Sequence, residues 1–176
     1  AGSAVPRIVK FLGTDSVPDG GFEAYVNLAE DKVERLIRLG NDAQAPYGYY
    51  DFGVAVQLTK GNDEWLSAVK ARGIACDTEE DIERIQIDPW PAGGYAVDEI
   101  PVGHRAVRCI AFVRDDKTDN GYARPIHGLI CHVDVTAGQV VRVEDSGVIP
   151  MPPNPGRFDA AHQERMRTDL KDLEIT

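Results

Sequence analysis

Apolar and polar positions alternate most regularly between Arg105 and Asp145. The first run is Arg105-Ala-Val-Arg-Cys-Ile-Ala-Phe-Val-Arg114, followed by a polar connector. The second is Ile126-His-Gly-Leu-Ile-Cys-His-Val-Asp-Val135, and the turn Thr136-Ala137-Gly138 leads into Gln139-Val-Val-Arg-Val-Glu-Asp145. In the middle run Leu129, Cys131, Val133 and Val135 share one parity, while Ile130, His132 and Asp134 take the other. In the last run Val141 and Val143 oppose Arg142 and Glu144. A period of two with Asp, Asn and Gly between the runs predicts an antiparallel meander with one apolar face, which a helix must cover.

Upstream, Arg7–Leu12 and Phe22–Leu28 carry the same alternation, with Pro18-Asp19-Gly20-Gly21 as the turn between them. Val33–Leu39 admits helix or strand; its place after Phe22–Leu28 and the stop at Gly40 favour a strand. The three runs form a small antiparallel sheet with no helix to cover it, as expected for the closing strands of a preceding domain. Asn41 to Gly48 is a polar linker and marks the boundary. Beyond it, Phe52, Ala55, Val56 and Thr59 recur at helical spacing within Tyr49–Lys60, with Gly53 as a weak point. A second helix carries Trp65, Leu66, Ala68 and Val69 between an Asn62 or Asp63 cap and Gly73. Glu79–Arg84 starts as a helical turn and Ile85–Ile87 as a strand. Asp88-Pro89-Trp90-Pro91-Ala92-Gly93-Gly94 is expected to be loop, because two prolines and two glycines oppose regular structure. Val148–Gly156 is proline-rich and extended. The order predicts an α+β fold: helices on one face of a four-stranded antiparallel sheet over residues 45–150, preceded by strands of a second module.

Composition narrows the function classes. With 43% hydrophobic and 27% charged residues over 176 positions, the chain has the balance of a soluble globular protein. No apolar run is long enough to span a membrane, and no signal-peptide layout opens the chain. A net charge of −10 repels nucleic acid and anionic lipid alike. Ala1-Gly2-Ser3 has the character of a cloning scar. Cys76, Cys109 and Cys131 are an odd number of widely spaced thiols in apolar surroundings, expected to be free, as in a reducing compartment such as the cytoplasm.

Few residues carry obvious chemistry. His127 and His132 lie an odd number of positions apart and fall on opposite faces of a regular strand, so they cannot share a metal. His104 and His162 have no close acidic or thiol companion in sequence by this reading. The acidic groups Asp77–Asp81, Asp115-Asp116 and Glu144-Asp145 fit a capped helix start, a turn and a strand end. Nucleophile-elbow and phosphate-loop motifs are missing. Trp90, on its Pro/Gly segment, is either a core plug or a surface facing a ligand or another domain.

Several stretches bear a resemblance. Asp88-Pro89-Trp90-Pro91-Ala92-Gly93 resembles the Asp-Pro-Trp-Ser-Ala-Gly sequence of copper amine oxidases, with Pro91 in place of Ser. Phe112-Val-Arg-Asp-Asp-Lys-Thr-Asp-Asn-Gly-Tyr-Ala-Arg-Pro-Ile-His-Gly-Leu129 is similar to another stretch of that family, with Arg124 where His is frequent. Val141–Val148, Pro150–Pro155 and Arg167–Thr176 follow in order and spacing.

The resemblance implies three regions: closing strands of one cystatin-like domain over 4–40, a second and complete cystatin-like domain over 45–150, and over 151–176 an extended entry into a catalytic domain. In the family the whole enzyme converts a primary amine, water and oxygen to an aldehyde, ammonia and hydrogen peroxide, using copper and topaquinone. It acts as a homodimer, and tyramine- and phenethylamine-type substrates are common. None of the six tyrosines of this chain follows an Asn, and the family's His-x-His copper pair does not occur in it. No catalytic, cofactor or metal residue is therefore expected here. The resemblance implies a noncatalytic N-terminal fragment that packs on the catalytic domain and helps shape the substrate entrance, with Trp90 near the amine channel. The alternative is an independent cystatin-like binding module. An open reading frame continuing past Thr176 into Asn-Tyr-Glu or Asn-Tyr-Asp would separate the two.

Overall fold

The computed structural model describes residues 5–14, 21–40, 43–93, 97–116, 119–157 and 159–162. The first strands are β1 (Ile8–Thr14), β2 (Gly21–Asn27) and β3 (Lys32–Arg38), which form an antiparallel sheet in that order. Phe11 pairs with Ala24 and Ala24 with Leu36, while Val9, Val26 and Val33 align beside them, so one face is apolar. Phe11, Val33 and Leu36 remain 51%, 56% and 55% exposed, and no described element covers them. The opposite face is mixed: Leu12 and Ile37 flank Glu23, Lys10 pairs with Glu23 at 2.5 Å, and Lys10 and Arg35 both approach the Tyr25 ring. The strand reading of Val33–Leu39 holds, with β3 over Lys32–Arg38. The turn over 15–20, the proposed scar and Arg167–Thr176 lie outside the described residues.

The second unit places α1 (Tyr49–Lys60), α2 (Asp63–Ala71) and α3 (Glu79–Arg84) with a sheet of β4 (Ile85–Pro91), β5 (Ala106–Val113), β6 (Leu129–Asp134) and β7 (Gln139–Asp145), all antiparallel in chain order. The fold is α+β, with α1 and α2 on one face of the four-stranded sheet. Their inward residues Ala55, Thr59, Trp65 and Val69 are fully buried, against Ile85, Val107, Cys109, Leu129, Cys131 and Val133 from the strands. All three cysteines are buried and carry free thiols. Burial pushes the Cys109 thiol up to about 12, with the Thr59 hydroxyl working against that shift.

The helix ends follow their local chemistry. Asn62 Oδ1 accepts from Trp65 N–H at 2.8 Å and caps α2. Thr78 and Asp81 form a reciprocal capping box on α3, which explains the acidic run beginning at Asp77. Gly73 takes φ +74° just past α2, a left-handed position that favours glycine. Arg72 then ties α2 to the end of the sheet: its guanidinium, only 4% exposed, pairs with Asp145 at 2.5 Å and donates to Gly128 O and Gly147 O. Arg105 joins the linker to α1 through two 2.8 Å contacts with Asp51 and bonds to Ala45 O and Pro46 O.

Two expectations are corrected. Asp88–Pro91 is strand, not loop: β4 continues through Pro91, with Pro89 opposite Cys109 and Pro91 opposite Val107. β4 is an edge strand. Arg114 N–H donates to Arg84 O and Ala92 N–H to Ala106 O, so its even-numbered residues bond to β5. Pro89 and Pro91, both odd, turn their nitrogens to the free edge, where no donor is required. The second correction concerns β7. A bulge leaves Val141 unmatched, because His132 pairs with Arg142 but Val133 with Val140. Val140 and Val143, rather than Val141, therefore reach the core.

Candidate functional site

Because β4 is strand through Trp90, its even residues share a face with the even residues of β5 and β6. That face is turned away from the helices. Trp90 stands opposite Arg108, and Arg108 opposite His132, which faces Arg142 in turn. Neighbouring positions bring Asp88, Ile110 and Ile130 onto the same surface.

Both ends of this face are closed by local structure. At one end the short 3-10 turn Gly121–Ala123 lies over Phe112, with the Tyr122 ring edge-on at 4.8 Å and its hydroxyl 3.3 Å from Asp88. Gly121 permits this approach, since a Cβ there would sit 2.9 Å from Gln86 Oε1 and 3.1 Å from Phe112 Cβ. The Asp88 carboxylate in turn raises the Tyr122 phenol above its ordinary value. At the other end the segment 97–104 folds over the end of β6. There His104 Nδ1 lies 2.7 Å from Asp134 Oδ2, and Asp134 Oδ1 accepts from Ala137 N–H, which satisfies a carboxylate that is only 1% exposed. Glu99 of the same segment meets Arg142 at 3.2 Å.

Between these covers an open hollow of about 270 Å³ remains, lined by Trp90, Arg108, Ile110 and Ile130. Trp90 is 55% exposed and is therefore not a core plug. A larger hollow, about 460 Å³, lies between Gln44–Tyr47 and the 97–106 segment. Its one imidazole, His104, is already engaged by Asp134.

The histidines do not assemble a metal centre. His132 Nε2 faces Glu144 at 3.1 Å, His104 faces Asp134, and His162 faces Asp159 at 2.8 Å. His127 is exposed, just ahead of β6. The expectation that no acidic residue lies close in sequence is overturned for His162, while the partner of His104 is distant in sequence and close only in the fold. Asp159 is three residues from His162, and the meander folds Asp134 back onto His104. Among the described residues no group of three or more His, Cys, Asp or Glu side chains could hold a metal ion. The separate His–carboxylate pairs of the described residues do not fit copper.

Trp90 was visible in the sequence, whereas Arg108, Ile110 and Ile130 as its neighbours were not. With Asp88–Gly94 taken as loop, no register connected it to β5. The usable signal was the shared parity of Pro89 and Pro91, which suits the free side of an edge strand.

The fold and site define a helix-on-sheet module that presents a tryptophan-walled hollow on its open sheet face. Residues 51–161 match the copper amine oxidase N3 domain, and the chain belongs to the copper amine oxidase family. It is 32% identical over 176 residues to the primary amine oxidase of Arthrobacter sp. (strain P1), covering 100% of this chain and 26% of that protein. It is 29% identical over 174 residues to the histamine oxidase of Arthrobacter globiformis, covering 96% of this chain and 24% of the relative. The chain thus spans about a quarter of the length of these relatives. A copper-containing benzylamine oxidase from Hansenula polymorpha shares the fold, with a TM-score of 0.68 at 12% identity over 98% of this chain and 27% of that one. Among the described residues no helix is long and apolar enough to cross a membrane.

Proposed function

We propose that this chain is a noncatalytic N-terminal portion of a copper- and topaquinone-dependent primary amine oxidase. In this reading residues 45–150 form a cystatin-like domain that packs on the catalytic domain and supplies part of the wall of the amine entrance. Residues 4–40 close a preceding domain of the same kind, and 151–176 lead onward. Copper, topaquinone and the reacting groups belong to the catalytic domain of the full enzyme, a homodimer.

The observation that carries the reading is Trp90. A large aromatic, more than half exposed, stands beside two isoleucines on the one sheet face that α1 and α2 leave uncovered. A surface of this kind is suited to burial against another body. The strand backbone and its prolines hold the indole in place, so it offers rigid contact area at small entropic cost. An indole wall discriminates amines by the shape of the tail, with each methylene worth roughly 1–3 kcal/mol.

Trp90→Ala in the full-length enzyme is expected to redistribute kcat/KM between small and bulky amines, with copper content and quinone formation unchanged. An equal loss for every amine, in step with a lowered Tm, would assign Trp90 to packing and remove it from the entrance.

A further inference from the structure

The hollow of about 460 Å³ between Gln44–Tyr47 and the 97–106 segment is lined largely by hydrocarbon. Gln44, Tyr47 and His104 are the only polar side chains among its described lining residues, and no carboxylate, ammonium or guanidinium is among them. What these three can offer a ligand follows from the bonds they already make. Asp134 is 1% exposed and receives the Ala137 N–H on Oδ1, while its Oδ2 lies 2.7 Å from His104 Nδ1. A carboxylate only accepts hydrogen bonds, which places the proton of the neutral imidazole on Nδ1 and leaves a lone pair on Nε2. The His104 side chain is 23% exposed, and its Nε2 has no partner among the described residues. Gln44 spends both amide protons on Gly103 O and His104 O, at 3.2 and 2.7 Å. Tyr47 has one hydroxyl proton for two acceptors, Gln44 Oε1 and Ala106 O, each at 3.1 Å. Burial raises its phenol, so that proton stays in place. Arg105, whose guanidinium stacks over the Tyr47 ring, is paired with Asp51 through two 2.8 Å contacts. The side chains of the hollow therefore present acceptors and no spare donor.

An apolar enclosure with a few polar groups of one kind has the anatomy of a small-ligand site. The complement of acceptors alone is a group with several N–H donors and no acceptor, and –NH3+ is such a group. The buried Asp134 charge behind the imidazole makes Nε2 a stronger acceptor, as it does for a metal-bound histidine. We propose that this hollow binds a primary alkylammonium, which donates to His104 Nε2 and Gln44 Oε1 and lays its tail against Pro46, Val97 and Ile100. Asp134 is the positioning residue, because it fixes the tautomer of the ring. The inference stands apart from the entrance reading, since Trp90 takes no part in it.

The test uses the chain with nitrogen-15 in its imidazoles at about pH 8, where an ordinary imidazole is neutral and an alkylamine is charged. The ring nitrogen shifts should report His104 as the Nδ1–H tautomer. Butylammonium should move the His104 signals saturably, with a Kd on the order of 1 mM. Two further probes separate charge from hydrogen bonding. Butan-1-ol has a donor and no charge, butyltrimethylammonium has the charge and no donor, and each should bind about tenfold more weakly. Asp134→Asn is the decisive variant. Its Oδ1 can still accept from Ala137 N–H, which turns its amide nitrogen toward His104 to donate to Nδ1. The ring then carries its proton on Nε2, and butylammonium affinity should fall about tenfold. A wild-type ring protonated on Nε2, no saturable shift at His104, or equal binding of the three probes would each overturn the proposal. Full affinity in Asp134→Asn after the tautomer has switched would overturn it too, and an unswitched tautomer removes Asp134 as the positioning residue. If that variant does not fold, the wild-type tautomer and the three probes decide the matter alone.

Discussion

The two sheets are built from the same kind of alternating strand, yet among the described residues only one is covered by helices over a buried core. In the β4–β7 sheet, α1 and α2 bring Trp65 and Val69 to zero exposure against Ile85, Cys109 and Val133. In the β1–β3 sheet the equivalent apolar positions Phe11, Val33 and Leu36 stay more than half exposed. Both sheets are antiparallel ladders in chain order, and each carries one register shift. Backbone hydrogen bonding therefore does not distinguish them, and the burial of one apolar face does. Net hydrogen-bond stabilisation is small against water, whereas burying a large apolar side chain contributes about 1.5–3 kcal/mol.

The contrast is broken most directly by truncation on each side. Trp65→Ala should destabilise the helix-covered unit by about 3–5 kcal/mol, read as a lowered urea midpoint, because it removes a fully buried indole from a packed site. Phe11→Ala should stay within about 0.5 kcal/mol, as for other exposed positions. A comparable loss for both would mean that the first sheet is covered in solution.

A smaller effect should appear in acid. Arg72 holds the Asp145 carboxyl down to about 2 from the ordinary 3.8, aided by the Gly147 N–H. A carboxyl whose folded value is depressed stabilises the protein above its unfolded value and loses that contribution as pH falls through the folded one. The stability given by this α2–β7 tie should thus be complete above about pH 4 and disappear toward pH 2. Asp145→Asn should flatten the stability profile across that window, measured by urea midpoints at stepped pH. An unchanged slope would show that Arg72 is anchored by Gly128 O and Gly147 O alone. The Lys10–Glu23 pair of the first sheet should contribute in the same direction, because Lys10 holds the Glu23 carboxyl below its ordinary value. Its contribution should be weaker, since Lys10 is 45% exposed whereas Arg72 is 4% exposed.

Most of this architecture was legible because periodicity reports burial. Ala55, Thr59, Trp65 and Val69 fall at helical spacing and Leu129, Cys131 and Val133 at strand spacing, and all seven are buried. The Asn62 cap and the capped helix start within Asp77–Asp81 were legible because such side chains act within three residues. What escaped depends on relations across the sheet. The prolines of β4 are tolerated because that strand is an edge, a fact of topology. The bulge at Val141 and the pairing of His104 with Asp134 likewise exist only once strands are in register. The site followed the same rule. Trp90 could be singled out as an aromatic between prolines, but its neighbours Arg108, Ile110 and Ile130 belong to other strands and meet it only after the meander closes.

The smallest prediction sharpens the comparison within the covered unit itself. Gly53 lies in the middle of α1, the helix that covers β4, β5 and β6, yet it makes no packing contact that requires a missing side chain. A Cβ built at this position meets nothing within 4 Å. Glycine there costs helix stability through the freedom it gives the unfolded chain, without any compensating close approach. Gly53→Ala should therefore raise stability by about 0.5–1 kcal/mol, seen as a higher urea midpoint with an unchanged slope. The apolar face of α1 is untouched, so Cys109 and Cys131 should remain as slow to label with a thiol reagent as before. A loss of stability would show that α1 must bend or pack at Gly53 in a way its open surroundings do not reveal.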